Sequence, residues 1–362
     1  MTAVRPRPGL LNIRAPMVSA PAGGDGRPTI DIFNNENALG PSAKAIAAAT
    51  EALNRVERYP EGASERLAEA IAARFDLDAG RVACGHGSDD VLARLARAYL
   101  SPGDQLIHCA SGYQKIPNYA YANDAEPVAA ADDDFKASMD SILSRVSDRT
   151  KIVMIANPDN PSGHYLSGAE IRRLHAGLPD NVLLVLDSAY CEYVDAPDYE
   201  DPTALVEEVE NVVATRTFSK IFGLAGFRLG WLYGPSEIVD VVKRIGITFP
   251  LTGPGLAAGV AALSDMGHTQ MIRRTNQVLR RRFADELAGL GLRIYPSQTN
   301  FVLARFCNEA KPAMGAYEFL VARGIIPRRF AAPIFKDCIR FTIGRDEEMR
   351  QTANAVREYL TE

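Results

Sequence analysis

One lysine in this chain stands in a setting that surface lysines rarely have. Lys220 ends the hydroxyl-rich stretch TRTFSK (215–220), and IFGLAGF (221–227) and Arg228 follow it. A lone lysine is usually a solvated surface residue. A lysine partly removed from water loses its proton more easily and can form a Schiff base with a carbonyl group. Arg228 could reach back to the same site as a clamp for an anion.

Two polar residues follow apolar runs that suit buried strands. Asp187 ends VLLVL (182–186), where a carboxylate is costly unless it is paired. A cationic ring nitrogen, a helix cap or an interdomain ion pair could each satisfy it. Asn157 follows Lys151–Ala156 and opens NPDNPSG (157–163), which by itself is a strong turn signal. Because ligands bind at the carboxyl ends of strands in open α/β sheets, the Asn157 amide could face one.

Two further stretches could hold a flat, anionic ligand. GHGSDD (85–90) places glycines and Ser88 at a strand-to-helix junction, where backbone amides and a helix N-terminus favour a phosphate. The alternative is a simple turn whose helix is capped by Ser88 or Asp89. Tyr113 follows the predicted strand Gln105–Cys109 and could stack on a ring, although core packing explains an aromatic residue there equally well.

An arginine interrupts the apolar run CIRFTIG (338–344). A buried guanidinium requires an anionic partner, and a substrate carboxylate would bind Arg340 in a bidentate manner. A structural salt bridge is the competing interpretation. Arg328 and Arg329 lie upstream of the same run.

Together these residue types are the set that a pyridoxal-phosphate enzyme needs. The lysine holds the aldehyde, and the aspartate keeps the pyridine nitrogen protonated so that the ring can accept electrons. An asparagine and a tyrosine can bond the phenolic oxygen. The serine, the backbone amides and an arginine can hold the phosphate.

The elements that must position these residues alternate along the chain. Helices are predicted at Ser42–Leu53, Ser64–Phe75 (with Ser64 as its cap), Asp89–Leu100 and Ser167–Leu178, and short apolar strands at Gln105–Cys109, Lys151–Ala156, Val182–Leu186, Val212–Thr217 and Leu229–Leu232. This alternation predicts an α/β domain with a mainly parallel sheet. From about Thr269 a long arginine-rich helix, then mixed strands (Leu292–Tyr295, Phe301–Arg305, Ile339–Ile343) and helices, predict a smaller α+β domain.

Composition narrows the class of protein. With 47% hydrophobic and 23% charged residues among 362, the chain is an ordinary globular one. A net charge of −5 argues against nucleic acid as the main partner. Five scattered cysteines without a CxxC pair predict reduced thiols, no zinc site and a cytoplasmic location. The longest mainly apolar stretch, Gly255–Leu263, is too short for a membrane span, and residues 1–28 read as a mobile arm rather than a signal peptide.

Eight motifs in order carry a family resemblance. They are NNENALGPS (34–42), RYPEG (58–62), GHGSDD (85–90), ANPDNPSG (156–163), LDSAYCEY (186–193), RTFSKIFGLAGFRLGW (216–231), NFVLARF (300–306) and IRFTIG (339–344). From about Asn34 to its end the chain resembles fold-type I aminotransferases, specifically the histidinol-phosphate aminotransferase family. The resemblance implies a large domain with a mainly parallel seven-stranded sheet sandwiched by helices, plus a smaller α+β domain. The domains expected are an arm at 1–30, a segment at 31–58 that joins the small domain, the cofactor-binding domain at 59–265 and the small domain at 266–362.

The resemblance also implies roles for individual residues. Lys220 forms the Schiff base with pyridoxal phosphate and shuttles protons, Asp187 pairs with the ring nitrogen, and Tyr113 stacks on the ring. Asn157 and Tyr190 contact the phenolic oxygen, and the phosphate is surrounded by Gly87, Ser88, Asp89, Thr217, Ser219 and Arg228. Tyr59 reaches the cofactor phosphate of a partner subunit, which implies a homodimer with shared active sites. Arg340 takes the substrate anion, with Arg328 and Asn37 as further substrate contacts.

The implied reaction moves the amino group of histidinol phosphate to 2-oxoglutarate in two half-reactions. Two stretches depart from the family pattern: IGITFPLTGP (245–254) lacks the asparagines usual there, and YQKIPNY (113–119) is unusual. Two alternatives therefore stay open. One is a transaminase for another amino compound or a specialised-metabolism intermediate, and the other is a lyase like the threonine-phosphate decarboxylases. A non-catalytic sensor is disfavoured because Lys220 and Arg340 are both present.

Overall fold

The computed structural model describes residues 4–13, 29–60, 62 and 64–362. The strands are β1 (Ile30–Asp31), β2 (Val82–His86), β3 (Gln105–Cys109), β4 (Glu126–Ala130), β5 (Asp132–Asp133), β6 (Lys136–Ala137), β7 (Thr150–Ala156), β8 (Leu183–Asp187), β9 (Val212–Thr217), β10 (Leu229–Tyr233), β11 (Arg293–Ile294), β12 (Phe301–Arg305), β13 (Ile325–Ile326) and β14 (Cys338–Thr342). The helices are α1 (Ala43–Ala52), α2 (Glu65–Phe75), α3 (Ser88–Tyr99), α4 (Ile116–Tyr121), α5 (Met139–Ser144), α6 (Gly168–Ala176), α7 (Pro202–Glu208), α8 (Ser236–Arg244), α9 (Gly253–Ser264), α10 (Met266–Gly289), α11 (Ala313–Ala322) and α12 (Asp346–Thr361).

A seven-stranded sheet forms the centre of the larger unit. Its order is β2-β10-β9-β8-β7-β3-β4, and β10 alone runs antiparallel to its neighbours. Alternate residues of the inner strands join two separate apolar clusters: Ile107 and Leu184 lie in one, and Leu106 and Val185 in the other. Side chains alternate across a strand, so both faces of the sheet are buried under helices. The α/β class with a mainly parallel sheet is confirmed.

The predicted strands of this sheet are all present, and one strand, β4, was missed. β4 carries Pro127 and two alanines in five residues, and it lies at the edge of the sheet. Proline and alanine are poor strand formers, and an edge position tolerates the missing backbone donor. β2 was expected without bounds as the strand that leads into GHGSDD, and the structure places it at Val82–His86.

The smaller unit combines about the C-terminal quarter of the chain with a short N-terminal segment. β11, β12 and β14 form an antiparallel sheet, and β1 pairs with β13 in parallel. Ile32 lies in the apolar cluster of this unit, and its carbonyl accepts a hydrogen bond from the Thr342 amide at 3.1 Å. Residues 30–32 therefore run along β13, and residues 32–35 lie beside β14, where Asn35 reaches Tyr190 of the larger unit.

Helix ends differ in how they are built. Ser42 caps α1, because its side chain accepts a hydrogen bond from the Ala45 amide. Ser64 was expected to cap α2 in the same way, and this prediction was wrong. Its backbone is left-handed (φ 61°), its side chain makes no capping bond, and its buried hydroxyl has no hydrogen-bond partner among the described residues.

Part of the predicted arm is ordered against the larger unit. Pro8–Asn12 form a short 3-10 helix beside α4, and the Gly9 amide donates to Asp124 Oδ1 at 2.7 Å. The rest of the arm, residues 1–3 and 14–28, lies outside the described residues. Within the described part of the chain, no helix is both long enough and apolar enough to cross a membrane.

Candidate active site

A cavity of about 460 Å³ opens at the carboxyl ends of β7, β8 and β9, against the N-terminal segment. Most of the predicted site residues line it: Ser88, Asp89, Tyr113, Asp187, Tyr190, Thr217, Ser219, Lys220 and Arg228. Asn34, Glu36, Ala156, Pro158, Asn160, Ala189, Ala225 and Gly226 complete the lining. Residues from distant parts of the sequence therefore meet in one place.

The sheet register explains this meeting. Ala156 pairs with Asp187, and Asp187 pairs with Thr215, so three parallel strands end at one edge. β10 runs in the opposite direction beside β2 and pairs Leu229 with His86. Since Arg228 precedes Leu229, it lies beside the turn that leads into α3.

Lys220 is half-buried between the two units. Its Nζ donates to the carbonyl of Asn34 at 3.1 Å and lies 5.7 Å from the centre of the Tyr190 ring. Burial, together with the nearby positive charge of Arg340, lowers the pKa of Lys220 to about 8. A lysine with this pKa is partly neutral near physiological pH, which is the state that attacks a carbonyl group.

Asp187 is 5% exposed and has few donors around its carboxylate. Thr215 Oγ1 donates to Oδ1 at 3.1 Å. Burial raises the pKa of Asp187 to about 7, so the carboxyl group is only partly ionised in the chain alone. A cation held beside it would favour the ionised form and pair with it.

Two phenols flank the lysine and the aspartate. Tyr190 Oη accepts a hydrogen bond from Asn35 Nδ2 at 2.9 Å, and burial raises its pKa to about 12. Tyr113 Oη donates to Asp89 Oδ1 at 3.2 Å, and burial raises its pKa well above the ordinary value. Both phenols therefore remain protonated at neutral pH; the O–H of Tyr190 can donate to a ligand, whereas that of Tyr113 already donates to Asp89.

Hydroxyl groups, an arginine and a helix N-terminus converge at one end of the cavity. Arg228 Nη1 lies 3.4 Å from Ser219 Oγ, and Thr217 Oγ1 lies 3.0 Å from the same oxygen. Ser88 begins α3, where backbone amides lack helical acceptors. Gly87 has φ +82°, and a Cβ there would lie 2.6 Å from Arg228 Nη2. Glycine is required for this close approach, and the arrangement suits a phosphate.

Arg340 lies behind the cavity with its charge uncompensated. It is 5% exposed in β14; Nη1 donates to Asn160 Oδ1 and Nη2 to the Phe33 carbonyl, each at 2.6 Å. Both acceptors are neutral, Nε is buried without a partner, and burial lowers the pKa of Arg340 to about 10. The structural salt bridge considered from the sequence is not found among the described residues. Arg328 exchanges backbone hydrogen bonds with Arg340 at 2.9 Å, and its guanidinium lies 4.1 Å from the centre of the Phe33 ring.

Asn157 lies between two residues that line the cavity, Ala156 and Pro158, and is not itself among the lining residues. Its Nδ2 donates to the Leu166 carbonyl at 3.1 Å and its Oδ1 accepts from the Leu166 amide at 2.8 Å, which fixes the orientation of the amide and leaves the second N–H of Nδ2 for another acceptor. Asn160, three residues later, lines the cavity instead. The second Asn-Pro pair of ANPDNPSG was the signal that sequence reasoning passed over, and the NNE run at 34–36 was another.

Two other predicted residues lie away from the lining. Asn37 Nδ2 donates to the carbonyl of Ile221 at 2.9 Å, next to Lys220 but outside the cavity. Tyr59 is 81% exposed and stacks on Phe249 with the ring centres 4.4 Å apart. Within a single chain Tyr59 therefore contacts no part of the site.

Comparison with known proteins supplies the class. The family model described as aminotransferase class I and II matches residues 28–356. Among solved structures, a histidinol-phosphate aminotransferase from Sinorhizobium meliloti in complex with pyridoxal-5'-phosphate is 28% identical, with a TM-score of 0.91 over 99% of this chain and 98% of that one. An aspartate aminotransferase from Thermus thermophilus, 19% identical with a TM-score of 0.82 over 91% of both chains, shares the fold.

Two curated relatives are similar over nearly their full length. The histidinol-phosphate aminotransferase of Rhodospirillum centenum is 45% identical, and that of Paramagnetospirillum magneticum is 43% identical, each over 99% of both chains. This chain therefore belongs to the class I and II aminotransferases and, within them, to the histidinol-phosphate aminotransferase family. It has the fold of the type I pyridoxal-phosphate transferases and is a pyridoxal-phosphate-dependent transaminase.

The residues of the cavity fit that cofactor. A phosphate would meet hydroxyls, amides and Arg228 in a cradle from which a Cβ on Gly87 is excluded. The buried Asp187 lacks a full set of donors, which suits a protonated ring nitrogen. Lys220, with its lowered pKa, is placed to bind an aldehyde.

Proposed function

We propose that this chain transfers the amino group of histidinol phosphate to 2-oxoglutarate, in two half-reactions that share one site. The observation that most directly supports this proposal is the state of Arg340. Its buried guanidinium donates to two neutral oxygens, and its Nε has no hydrogen-bond partner among the described residues. Its charge is left for an anion of the substrate, either a carboxylate or a phosphate. Curated relatives with this activity in their name are 42–45% identical over nearly the whole chain.

We assign the cofactor to the cavity residue by residue. Lys220 would bind its aldehyde, Asp187 would pair with its ring nitrogen, and Tyr113 would cover the ring. Tyr190 would donate to the phenolic oxygen, and Asn157 would contact the same oxygen through the remaining N–H of its amide. The phosphate would lie among Gly87, Ser88, Asp89, Thr217, Ser219 and Arg228. When bound, pyridoxal phosphate supplies an electron-accepting ring for the substrate carbon that carries the amino group.

Proton transfer falls to the lysine. Lys220 Nζ, whose pKa is lowered to about 8, would act as a base whenever it is not bound to the aldehyde. It would take the proton from the substrate carbon that carries the amino group and, as the conjugate acid, return it two atoms away in a 1,3-proton shift. Arg340, with Arg328 as a second cation and Asn37 holding the lysine loop, would keep that carbon within reach of Nζ.

The functional unit we propose is a cytoplasmic homodimer. Five exposed apolar side chains lie around the Tyr59–Phe249 stack or on the adjoining helix end: Leu53, Val56, Tyr59, Ile247 and Phe249. A second copy of the chain would cover them and would receive Tyr59 at its phosphate site. Within each copy the domains would be 59–265 and 266–362, with 31–58 joining the smaller one.

A single-turnover assay of the purified holoenzyme tests the reaction. We expect histidinol phosphate and glutamate each to convert the bound cofactor to pyridoxamine phosphate, seen as loss of its visible absorption. Lys220→Ala should abolish turnover. Conversion by another amine but not by histidinol phosphate would replace the substrate and point to residues 245–254, where Ile247 and Phe249 are exposed. Release of carbon dioxide without pyridoxamine phosphate would replace transamination with lyase chemistry.

A further inference from the structure

Three donors converge on the carboxylate of Asp89 in the first turn of α3. Oδ1 accepts hydrogen bonds from Tyr119 Oη at 2.7 Å and Tyr113 Oη at 3.2 Å, and Oδ2 accepts one from Lys115 Nζ at 2.7 Å. Of the three donors, only Lys115 carries a charge. Lys115 is therefore the counter-ion of Asp89.

Asp89 matters because it follows Ser88 at the end of the cavity that suits a phosphate. Burial acts to raise its pKa, but the charge of Lys115 and the three hydrogen bonds hold the pKa below the ordinary value. Asp89 is consequently ionised at neutral pH. A carboxylate this close to a phosphate repels it unless a cation compensates the charge.

Lys115 acts from outside the cavity. It immediately precedes α4, its side chain is 40% exposed, and it is not among the residues that line the cavity. Its Nζ also lies 5.9 Å from the centre of the Tyr119 ring, in α4. The contact that links Lys115 to the lining of the cavity is therefore its ion pair with Asp89.

We propose that Lys115 is a positioning residue for the bound phosphate. Its ammonium compensates the negative charge of Asp89 and holds the carboxylate against Tyr113 and Tyr119. The carboxylate therefore does not offset the positive charge that attracts the phosphate at this end of the cavity. The inference rests on the proposed placement of the phosphate between Ser88 and Arg228.

The test compares non-covalent ligands on the apo chain. Pyridoxamine phosphate carries the ring and the phosphate without an aldehyde, and pyridoxamine lacks the phosphate. For Lys115→Met we expect the Kd of pyridoxamine phosphate to rise about 5-fold at low ionic strength and less at about 0.5 M salt, where charges are screened. The Kd of pyridoxamine should change by less than about 2-fold, and Lys115→Arg should restore tight binding.

A matched control exists in the same chain. Lys136 pairs with Glu170 at 2.6 Å with side-chain exposures of 40% and 34%, close to the 40% and 33% of Lys115 and Asp89. Lys136→Met removes an equivalent surface pair away from the cavity, so it should leave both Kd values unchanged. In an Asp89→Asn background, Lys115→Met should also have no effect, because no charge remains to be compensated.

The outcomes distinguish failure of the proposed phosphate site from failure of the proposed role of Lys115. If the wild-type chain binds pyridoxamine phosphate no tighter than pyridoxamine, the proposed phosphate site itself is refuted. If the wild type discriminates but Lys115→Met binds the phosphate ligand equally well, only the role of Lys115 is refuted. An equal loss for both ligands, or an effect that persists in Asp89→Asn, would reduce Lys115 to a structural residue.

Discussion

Two buried arginines in this chain have opposite electrostatic surroundings. Arg216 in β9 is 2% exposed and forms ion pairs with Asp201 and, at 3.6 Å, with Glu192; its guanidinium also lies 4.6 Å from the centre of the Phe75 ring. Arg340 in β14 is 5% exposed, and its acceptors are an amide oxygen and a backbone carbonyl.

Their pKa shifts reflect the same difference. Burial acts to lower both values, yet the anionic neighbours of Arg216 raise its pKa above the ordinary range, whereas the pKa of Arg340 falls to about 10. Each guanidinium has a buried Nε without a hydrogen-bond partner, so an unpaired atom alone does not mark a binding site. A missing counter-charge does mark a binding site, because a buried charge is costly until a ligand supplies the opposite charge.

The largest effect is expected on stability, at Arg216. Arg216→Met leaves Glu192 buried without a counter-ion and should cost about 3 kcal/mol of unfolding free energy. Urea unfolding of the holoenzyme measures it, and the folded fraction should keep its kcat/KM. Adding Glu192→Gln should recover part of the loss. Unchanged stability in the single variant would break the contrast between the two arginines.

Arg340→Gln should have the reverse profile. We expect kcat/KM for the amino donor to fall about 100-fold, because a charge-assisted pair with the substrate anion is lost. Thermal stability should stay equal or rise, since a buried charge without a carboxylate partner is removed. Arg340→Lys should not restore activity, because a lysine lacks the planar fork. A stability loss as large as that of Arg216→Met would assign Arg340 to the structure instead.

Two buried aspartates show the same contrast, and it can be measured as the pH dependence of stability. The folded pKa of Asp187 is raised by burial to about 7, so its contribution to stability is present below the unfolded value and is lost as pH rises towards 7. The apo form of Asp187→Asn should avoid this loss and be about 2 kcal/mol more stable than the apo wild type at pH 7.5, with little difference at pH 4. Urea unfolding at the two pH values measures the gap.

Asp201 should change the stability with pH in the opposite direction. Burial acts to raise its pKa, but Arg216 holds the pKa below the ordinary value. Its contribution is therefore present above the unfolded value and is lost as pH falls. Asp201→Asn should be less stable than the wild type at pH 7.5. A stabilised Asp201→Asn, or an apo Asp187→Asn with the pH profile of the wild type, would contradict the division into compensated and uncompensated groups.

The smallest effect concerns the cradle beside Arg228. Gly87→Ala would place a Cβ 2.6 Å from Arg228 Nη2 at a backbone φ of +82°, and it should weaken pyridoxamine phosphate binding about 10-fold. Gly103→Ala is the control, since Gly103 has φ +89° with nothing within 4 Å of the added atom. Equal binding by the two variants would show that Gly87 serves only the turn.

Local pattern predicted much of the fold. β3, β9 and β12 have the predicted bounds, because each is a short, mainly apolar run that is buried. β4 was not predicted because a proline and two alanines give no strand signal. Only its pairing with β3 makes Glu126–Ala130 extended. The misjudged cap at Ser64 has a similar cause: its left-handed backbone is compatible with the sequence but not implied by it.

The candidate site was predictable to the extent that its residues end strands. Asp187 follows a strongly apolar run, and its position at the carboxyl edge of a parallel sheet follows from that alone. Asn157 and Asn160 could not be told apart, since both occupy one turn between a strand and a helix. The loop brings Leu166 to the Asn157 amide and Asn160 to Arg340, and neither contact can be predicted from the turn itself.

The sequence by itself determined which chemical groups are available and which strands carry them, because apolar periodicity and residue type are local properties. The tertiary structure decided which charges are compensated. Arg216 pairs with Asp201, which is 15 residues away in the sequence. Arg340 donates to the Phe33 carbonyl, which is 307 residues away. An arginine in an apolar run looks the same in both cases, and only the packed chain shows which one is left without an anion.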